Sequence, residues 1–133
     1  MSLYIDANIF LNAALYTDEK AQKCRKLLEN IALGKESACT ATLTWDEVVF
    51  ILRKKMSIEE SIVKGRNFLE IKNLTLIEVS KHTLVVAQDL MQKHSLKPRD
   101  AIHAATAIIN KCEEFISDDA DFDKVKELKR RKI

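Results

Sequence analysis

The sequence predicts an α/β fold in which helices cover both faces of a central parallel sheet. Short apolar segments alternate with helical ones, and this alternation favours right-handed crossovers between parallel strands. Only two glycines and one proline occur among the 133 residues, which suits helices with short connections better than a many-turned β sandwich. Hydrophobic residues account for 47% and charged residues for 32% of the chain, as in ordinary folded, soluble proteins. We therefore expect one domain spanning residues 1–133.

The first half of the chain predicts two strands and three helices. An apolar strand ends at Asp6 and leads into a helix for which Asn8 is the predicted N-cap. The next helix has apolar residues at helical spacing and reaches Gly34, which stands where a C-terminal cap glycine would. After a brief strand comes a helix that is apolar on two sides, because Phe50 and Ile51 lie opposite its main stripe. We expect that helix to contact the sheet with one side and a second subunit with the other. The predicted ranges are 3–5 and 37–41 for the strands, and 9–11, 19–34 and 45–56 for the helices.

The second half of the chain continues the alternation. A helix with Gly65 on its apolar side can approach a neighbouring element closely, and a strand and another helix follow it. Pro98 then occupies the favoured first position of a helix whose alanines let it lie close against a sheet. A fourth strand precedes a basic segment that we expect to be helical or frayed. The predicted ranges are 74–79 and 115–117 for the strands, 58–69, 83–94 and 98–107 for the helices, and 124–133 for the tail.

Four acidic residues are predicted to meet at one edge of this sheet. Asp6 and Asp119 come just after apolar strands, so both should project from the carboxyl ends of their strands. Glu47 and Asp100 stand in the first turns of helices that should begin near the same edge. Ligands of parallel α/β sheets bind outside the carboxyl ends of the strands, so the four carboxylates are candidates for one cleft.

Each acid also has a purely structural alternative. Asp6 could make only a local turn bond, and Asp100 suits the positive end of a helix dipole without any further role. Glu47 follows Thr44 at the spacing of a capping box, and could merely satisfy backbone donors. The last acid has three adjacent candidates, Asp118, Asp119 and Asp121.

Grouped carboxylates predict a divalent cation. Two unit charges about 4 Å apart repel by roughly 4 kcal/mol at an effective dielectric constant near 20, so four ionised carboxylates need compensation. Oxygen ligands without His or Cys favour hard ions, Mg²⁺ or Mn²⁺, which also bind phosphate oxygens. Phosphodiester hydrolysis is therefore the chemistry that this pattern favours.

Other polar residues near these acids carry weaker predictions. His103 lies three residues after Asp100, and we expect it in the core or behind the site rather than at the reacting atoms. Lys97, Arg99 and the basic tail could attract RNA phosphates, or simply remain solvated. The net charge of +2 is too small to identify a nucleic-acid partner.

The cysteines and the hydropathy pattern exclude several classes of protein. Cys24, Cys39 and Cys112 are an odd number without a CxxC pair, so we expect reduced, buried thiols rather than a disulfide framework or a zinc site. No basic and apolar leader is visible, and no apolar run approaches the roughly 20 residues of a membrane span. We expect a cytoplasmic protein without a membrane partner.

Four segments resemble, in order and spacing, the motifs of VapC-like PIN domains. They are residues 4–10 (YIDANIF), 43–49 (LTWDEVV), 97–107 (KPRDAIHAATA) and 116–122 (ISDDADF). Each motif is short, but together they cover nearly the whole chain. The resemblance implies a three-layer α/β/α PIN-like fold with a central parallel sheet of four or five short strands.

The resemblance also implies an activity and a set of site residues. It implies a Mg²⁺- or Mn²⁺-dependent endoribonuclease that cleaves single-stranded RNA. The catalytic acids carry over to Asp6, Glu47, Asp100 and Asp119, and all of these except Glu47 are expected to ligate the metal. In the last motif the family has a hydroxyl two residues before the acid, which assigns the hydroxyl to Ser117.

Further positions and partners follow from the same resemblance. Asn8 corresponds to a polar residue that orients the first aspartate, and Asp121 to an additional acid outside the metal ligands. Asp118 departs from the family pattern. The resemblance implies a homodimer and a VapB-like antitoxin, whose C-terminal segment occupies the acidic groove, in a toxin-antitoxin pair. The alternative is a catalytically silent PIN-like module that binds RNA or a protein partner.

Overall fold

The computed structural model describes residues 2–133. Within this range five parallel strands form one sheet in the order β3-β2-β1-β4-β5. The strands are β1 (Ser2–Ile5), β2 (Ser37–Ala41), β3 (Leu74–Ile77), β4 (Glu114–Ile116) and β5 (Arg130–Arg131). The helices are α1 (Ala7–Leu15), α2 (Glu19–Ala32), α3 (Leu43–Lys55), α4 (Ile58–Leu69), α5 (Lys81–His94) and α6 (Pro98–Ile109), followed by a 3-10 helix (Ala120–Lys124). The predicted α/β fold with a central parallel sheet is confirmed.

Two apolar cores lie on opposite faces of the sheet, which gives the three layers. The strand β1 separates them, since successive side chains of a strand point to opposite faces. Leu3 and Ile5 pack into the core that α1 to α4 cover, whereas Tyr4 packs into the core that α5 and α6 cover. The predicted small-residue face of α6 is confirmed, because its alanines at 101, 104, 105 and 107 are all buried.

Local sequence explains where several helices begin and end. The side chain of Asp18 accepts a hydrogen bond from the Ala21 amide at 2.9 Å and so caps α2. At the other end Gly34 has a φ of 77°, and the Gly34 and Lys35 amides donate to carbonyls of the last turn. This is the Schellman arrangement, in which glycine adopts the left-handed conformation without a steric cost, and it confirms the predicted cap. Pro98 occupies the first turn of α6 as predicted.

One expectation and one alternative about helix termini are wrong. The N-cap of α1 is Asp6 rather than Asn8, because Asp6 has extended backbone and its side chain accepts from the Ala7 amide. Asn8 lies inside the helix, and both residue types are good caps, so composition did not separate them. The capping-box alternative for Glu47 also fails, since α3 begins after Thr42 and Thr44 bonds to Thr40 instead.

The C-terminal tail differs from its prediction as well. Residues 130–131 form the fifth strand, and the amide of Ser117 donates to the Arg131 carbonyl at 3.2 Å. The tail is therefore neither helical nor frayed over this stretch. The third strand ends at Ile77 rather than at residue 79. None of the helices within residues 2–133 is long and apolar enough to cross a membrane.

Gly65 makes the close helix contact that the sequence predicts. A Cβ atom at this position would lie 3.0 Å from Val49 Cγ2 and 3.4 Å from Trp45 Nε1, so α4 packs directly on α3 here. The outside of this helix pair exposes several large apolar residues, among them Phe50, which is 51% exposed. Dimerisation through such a surface stays a prediction.

Candidate active site

The topology brings the four predicted acids toward the carboxyl edge of the sheet. Asp6 follows β1 directly, Asp119 lies just beyond β4, and Asp100 lies in the first turn of α6. Burial, together with the nearby charges of Asp6 and Asp119, raises the pKa of Asp100 to about 6. Glu47 in α3 adds a smaller effect of the same sign. Asp100 therefore lies within electrostatic range of the other three carboxylates.

Asp6 is the most enclosed of these acids and the best supported. It is buried, and its Oδ2 accepts hydrogen bonds from Ser117 Oγ at 2.7 Å and from Asn8 Nδ2 at 3.2 Å. Its Oδ1 accepts from the amide of Ala7 at 2.8 Å. Asn8 Nδ2 also donates to Ser117 Oγ at 3.1 Å, which closes a small ring of contacts across β1 and β4. The orientation of the Asp6 carboxylate is thus fixed from several sides.

Burial of Asp6 carries an electrostatic cost. Burial raises the pKa of the carboxyl. The positive charge of His103 and the hydrogen bond from Ser117 lower it, but they offset only part of the effect of burial. The ionised form of Asp6 thus remains disfavoured despite these donors. A bound cation would stabilise that ionised form, so this environment favours a cation site.

Glu47 is held by a chain of buried side chains. His103 Nε2 bonds to Glu47 Oε1, and His103 Nδ1 lies 2.6 Å from the Tyr4 hydroxyl. The amide of Ala41 in turn donates to the Tyr4 hydroxyl at 3.1 Å. The Tyr4 ring stacks on Phe115, with centroids 5.1 Å apart, so the base of this chain is rigid. Glu47 is thereby anchored to the sheet through His103.

His103 is a buried support, as expected. Burial by itself lowers the pKa of the imidazole, but the hydrogen bond to Glu47 and the charge of Asp6 outweigh burial and raise it. Its Nε2 also lies 3.7 Å from Asp6 Oδ1, so one ring faces two of the acids. With Nδ1 facing the Tyr4 hydroxyl, Nε2 is the nitrogen that donates to Glu47.

The acidic loop after β4 divides its residues among different contacts. Asp119 accepts from the amide of Asp121 at 2.9 Å and so caps the 3-10 helix, while its own amide donates to Ser117 Oγ at 3.0 Å. Asp118 turns away and pairs with Lys20 of α2. Asp121 is exposed at the rim of the site. The structure therefore gives the three acids different contacts, and Asp119 is the one whose charge is among the main causes that raise the pKa of Asp100.

The chemistry of the donor set fits a hard divalent ion. Asp6, Asp100 and Asp119 offer only oxygen atoms, which Mg²⁺ and Mn²⁺ prefer. Among residues 2–133 no three acidic, His or Cys side chains lie close enough to enclose an ion as they stand.

Similarity to known proteins agrees with this architecture. Residues 3–128 match the PIN domain family. The chain belongs to the PIN-domain family. A search of curated proteins found no match for this PIN domain.

Solved structures with the same fold include several VapC-type proteins. VapBC2 from Rickettsia felis, bound to a promoter DNA fragment, is similar at 16% identity and a TM-score of 0.76, covering 100% of this chain and 99% of that one. VapC20 from Mycobacterium tuberculosis, described as a sarcin-ricin loop cleaving toxin, has 12% identity and a TM-score of 0.75 over 93% and 95% of the chains. A toxin-antitoxin complex from Klebsiella pneumoniae has 22% identity and a TM-score of 0.71 over 96% and 95%. At these identities the likeness shows a shared fold, and the predicted three-layer PIN-like architecture is confirmed.

Sequence reasoning missed three supports of this PIN domain. Tyr4 was assigned only to a strand, yet its hydroxyl orients His103. Arg130 was assigned to a tail, yet its guanidinium donates to the Ser117 carbonyl at 3.0 Å and pairs with Asp123. Lys20 was not singled out, but it pairs with Asp118, the extra acid of the last motif. One sequence signal could have indicated the role of Tyr4. Its hydroxyl lies in an otherwise apolar strand, and a buried hydroxyl needs a hydrogen-bond partner.

Proposed function

We propose that residues 1–133 form a single nuclease domain, a Mg²⁺- or Mn²⁺-dependent endoribonuclease that hydrolyses phosphodiester bonds of single-stranded RNA. We further propose that it is the toxin of a VapBC-type toxin-antitoxin pair. One observation carries the proposal. Burial, together with the charges of Asp6, Asp119 and Glu47, raises the pKa of the Asp100 carboxyl from the ordinary 3.8 to about 6. Acids from four separate elements therefore share one electrostatic environment at the sheet edge.

In this proposal Asp6, Asp100 and Asp119 are the metal ligands. Asp6 is oriented by Ser117 and Asn8 before any ion arrives, so little reorganisation is needed at that ligand. A bound divalent cation would supply charge neutralisation at the scissile phosphate and would make a water molecule more acidic. The attraction of each ligand carboxylate to the ion would then offset the repulsion among the carboxylates, so that they can lie near one another.

Glu47 has a different proposed role from the other acids. His103 binds its Oε1, so Oε2 is the oxygen available to accept a proton from the attacking water. A carboxylate held by a buried imidazole keeps one geometry, and a fixed position is what general base catalysis requires. Asp121 is exposed and has the role of an outer acid near the rim.

Exposed cations offer contacts for an RNA backbone. Lys97 and Arg99 flank Pro98 at the start of α6, next to Asp100, and both are exposed. Lys129 and Lys132 add positive charge beside β5. Such cations contact phosphates without reading sequence, so they support binding of single strands in general.

The antitoxin proposal rests on an apolar groove and on the solved relatives. Residues from α1 to α4 and the segment after α4 line an open groove, among them Phe10, Ala14, Val48, Leu52, Phe68 and Ile71. Two of the similar structures named above are described as VapBC2 and as a toxin-antitoxin complex. We propose that an apolar segment of a VapB-like antitoxin covers this groove and extends to the acids. A homodimer through the exposed apolar side of α3 and α4 completes the proposed assembly.

The test is cleavage of a labelled single-stranded RNA pool by the purified full chain with Mg²⁺ or Mn²⁺. Wild type, Asp6→Asn and Asp89→Asn are compared, each with and without EDTA. Asp89 is the matched control, since it is an exposed aspartate on α5 whose partner is Lys93. The proposal predicts cleavage by wild type and Asp89→Asn, and none by Asp6→Asn or with EDTA.

Two other outcomes would contradict the proposal. Equal cleavage by wild type and Asp6→Asn would place the activity elsewhere or in a contaminant. RNA binding in gel-shift assays without cleavage in either metal would favour the silent binding module. Sedimentation equilibrium checks the dimer separately, because a monomer at micromolar concentration would refute that part alone.

A further inference from the structure

Two cysteine side chains far apart in sequence meet at the amino end of the sheet. Cys39 Sγ and Cys112 Sγ are 3.4 Å apart, although the residues are separated by 73 positions. Cys39 lies in β2, beside Tyr4 of β1, and Cys112 lies just before β4. A disulfide requires sulfurs about 2.05 Å apart, so bond formation needs an approach of only about 1.4 Å.

The two thiols differ in access and in acidity. Cys39 is buried, whereas Cys112 is partly exposed and can be reached from solvent. The two thiols share a hydrogen bond in which either sulfur can donate, and Ser2 Oγ donates to Cys112 Sγ at 3.6 Å. The hydrogen bond from Cys39 outweighs partial burial and lowers the pKa of Cys112 to about 7. The same contact and burial raise the pKa of Cys39. Thiol pairs of this kind, in which one sulfur stabilises the other as a thiolate, are typical of redox-active dithiols.

We propose that Cys39 and Cys112 form a redox site, in which a low-molecular-weight disulfide such as oxidised glutathione converts the two thiols into an intramolecular disulfide. Cys112 is the attacking thiol and Cys39 the resolving thiol. The site is separate from the acids, because they lie at the carboxyl edge, whereas Cys112 precedes β4 and its sulfur contacts Ser2 Oγ at the start of β1.

The exchange balances in two steps. The Cys112 thiolate attacks one sulfur of the glutathione disulfide, forms a mixed disulfide and releases one glutathione thiolate. Cys39 then loses its proton and attacks the Cys112 sulfur, which forms the Cys39–Cys112 bond and releases the second glutathione. The two protein thiols lose two electrons and two protons, and one glutathione disulfide becomes two glutathione thiols.

Cys24 provides an internal control for this chemistry. It is fully buried in the core on the α1 to α4 face, whereas Cys39 packs in the core on the opposite face. Burial raises the pKa of Cys24, so it stays a thiol near neutral pH. Oxidation at Cys39 and Cys112 with Cys24 left reduced would therefore distinguish the proposed site from general thiol oxidation.

The test is disulfide mapping of the reduced full-length wild type after equilibration with defined ratios of oxidised to reduced glutathione at pH 7.5. Samples are quenched with acid, alkylated and digested without reductant for peptide mass spectrometry. The proposal predicts a loss of two hydrogens from the intact mass, a Cys39–Cys112 cross-linked peptide, and alkylation at Cys24 alone. Cys39→Ser should instead accumulate a glutathione adduct at Cys112, and Cys24→Ala should behave as wild type.

Wild type alone can overturn the proposal, so variants that fail to fold by circular dichroism do not weaken the test. Alkylation of all three cysteines after oxidation would refute it. A persistent glutathione adduct at Cys112 in wild type would refute the resolving role of Cys39. Cross-links that include Cys24 would show unfolding or non-specific oxidation and would count against the site equally.

Discussion

Replacing Asp100 by asparagine should stabilise the cation-free protein near neutral pH. Burial and the carboxylates of Asp6 and Asp119 raise the pKa of Asp100 from 3.8 to about 6, so its ionised form is disfavoured in the folded state. At pH 7 the side chain is ionised nonetheless, and this lowers the free energy of unfolding. Asparagine has nearly the same shape and no charge, so the repulsion disappears.

The magnitude follows from the pKa change. One pKa unit corresponds to about 1.4 kcal/mol, so the full change from 3.8 to about 6 is equivalent to about 3 kcal/mol. Asp100 is only partly buried, and solvent screening reduces the effect to about 1.5 kcal/mol. Because the folded state holds the proton to higher pH than the unfolded state, wild type loses this amount as pH rises from about 4 to about 6. The advantage of Asp100→Asn is therefore full above pH 6 and absent below about pH 4.

Urea denaturation in EDTA at pH 4 and pH 7 measures this difference. The expected free energy of unfolding of Asp100→Asn exceeds that of wild type by about 1.5 kcal/mol at pH 7, with equal values at pH 4. Asp89→Asn is the control and should match wild type at both pH values, apart from a small loss of its exposed pair with Lys93. Adding Mn²⁺ should stabilise wild type more than Asp100→Asn. A variant that is less stable than wild type at pH 7, or a gap that persists at pH 4, would refute the electrostatic reasoning.

Three further substitutions test the supports of the fold and the site. Gly65→Val should destabilise the protein by about 1–3 kcal/mol in urea denaturation, since a Cβ at this position already lies 3.0 Å from Val49 Cγ2. His103→Ala should lower RNA cleavage about 10–100-fold because Glu47 loses its donor, while His103→Gln, which can still donate, should retain more of the rate. Arg130→Ala should speed amide hydrogen exchange in the loop after β4, because the contact with the Ser117 carbonyl is lost. Unchanged values in these three measurements would contradict the corresponding contacts.

Much of the fold could be predicted because its strands are short apolar runs that alternate with amphipathic helices. The fifth strand could not, since Arg130 and Arg131 carry no apolar pattern and pair only because β4 offers an open edge. The N-cap of α1 was also beyond the sequence, because Asp6 and Asn8 are equally good caps two positions apart. Tertiary context decided both.

The candidate site divides in the same way. Asp6 and Asp119 could be placed at the sheet edge because parallel strands end there. The residues that support the acids could not be predicted in this way. The Tyr4–His103 contact, for example, joins residues 99 positions apart, and no local pattern encodes it. The sulfur pair is a further example, because the spacing of Cys39 and Cys112 resembles no known motif.

The central claim is that Asp6, Asp100 and Asp119 form one metal site, and binding of Mn²⁺ measured by isothermal titration calorimetry tests it most directly. Wild type, Asp6→Asn and Asp89→Asn are titrated at pH 7.5, where Asp100 is ionised. The account predicts saturable binding by wild type and Asp89→Asn, and at least tenfold weaker binding by Asp6→Asn. Equal affinity in all three proteins, or no saturable binding by wild type, would contradict it.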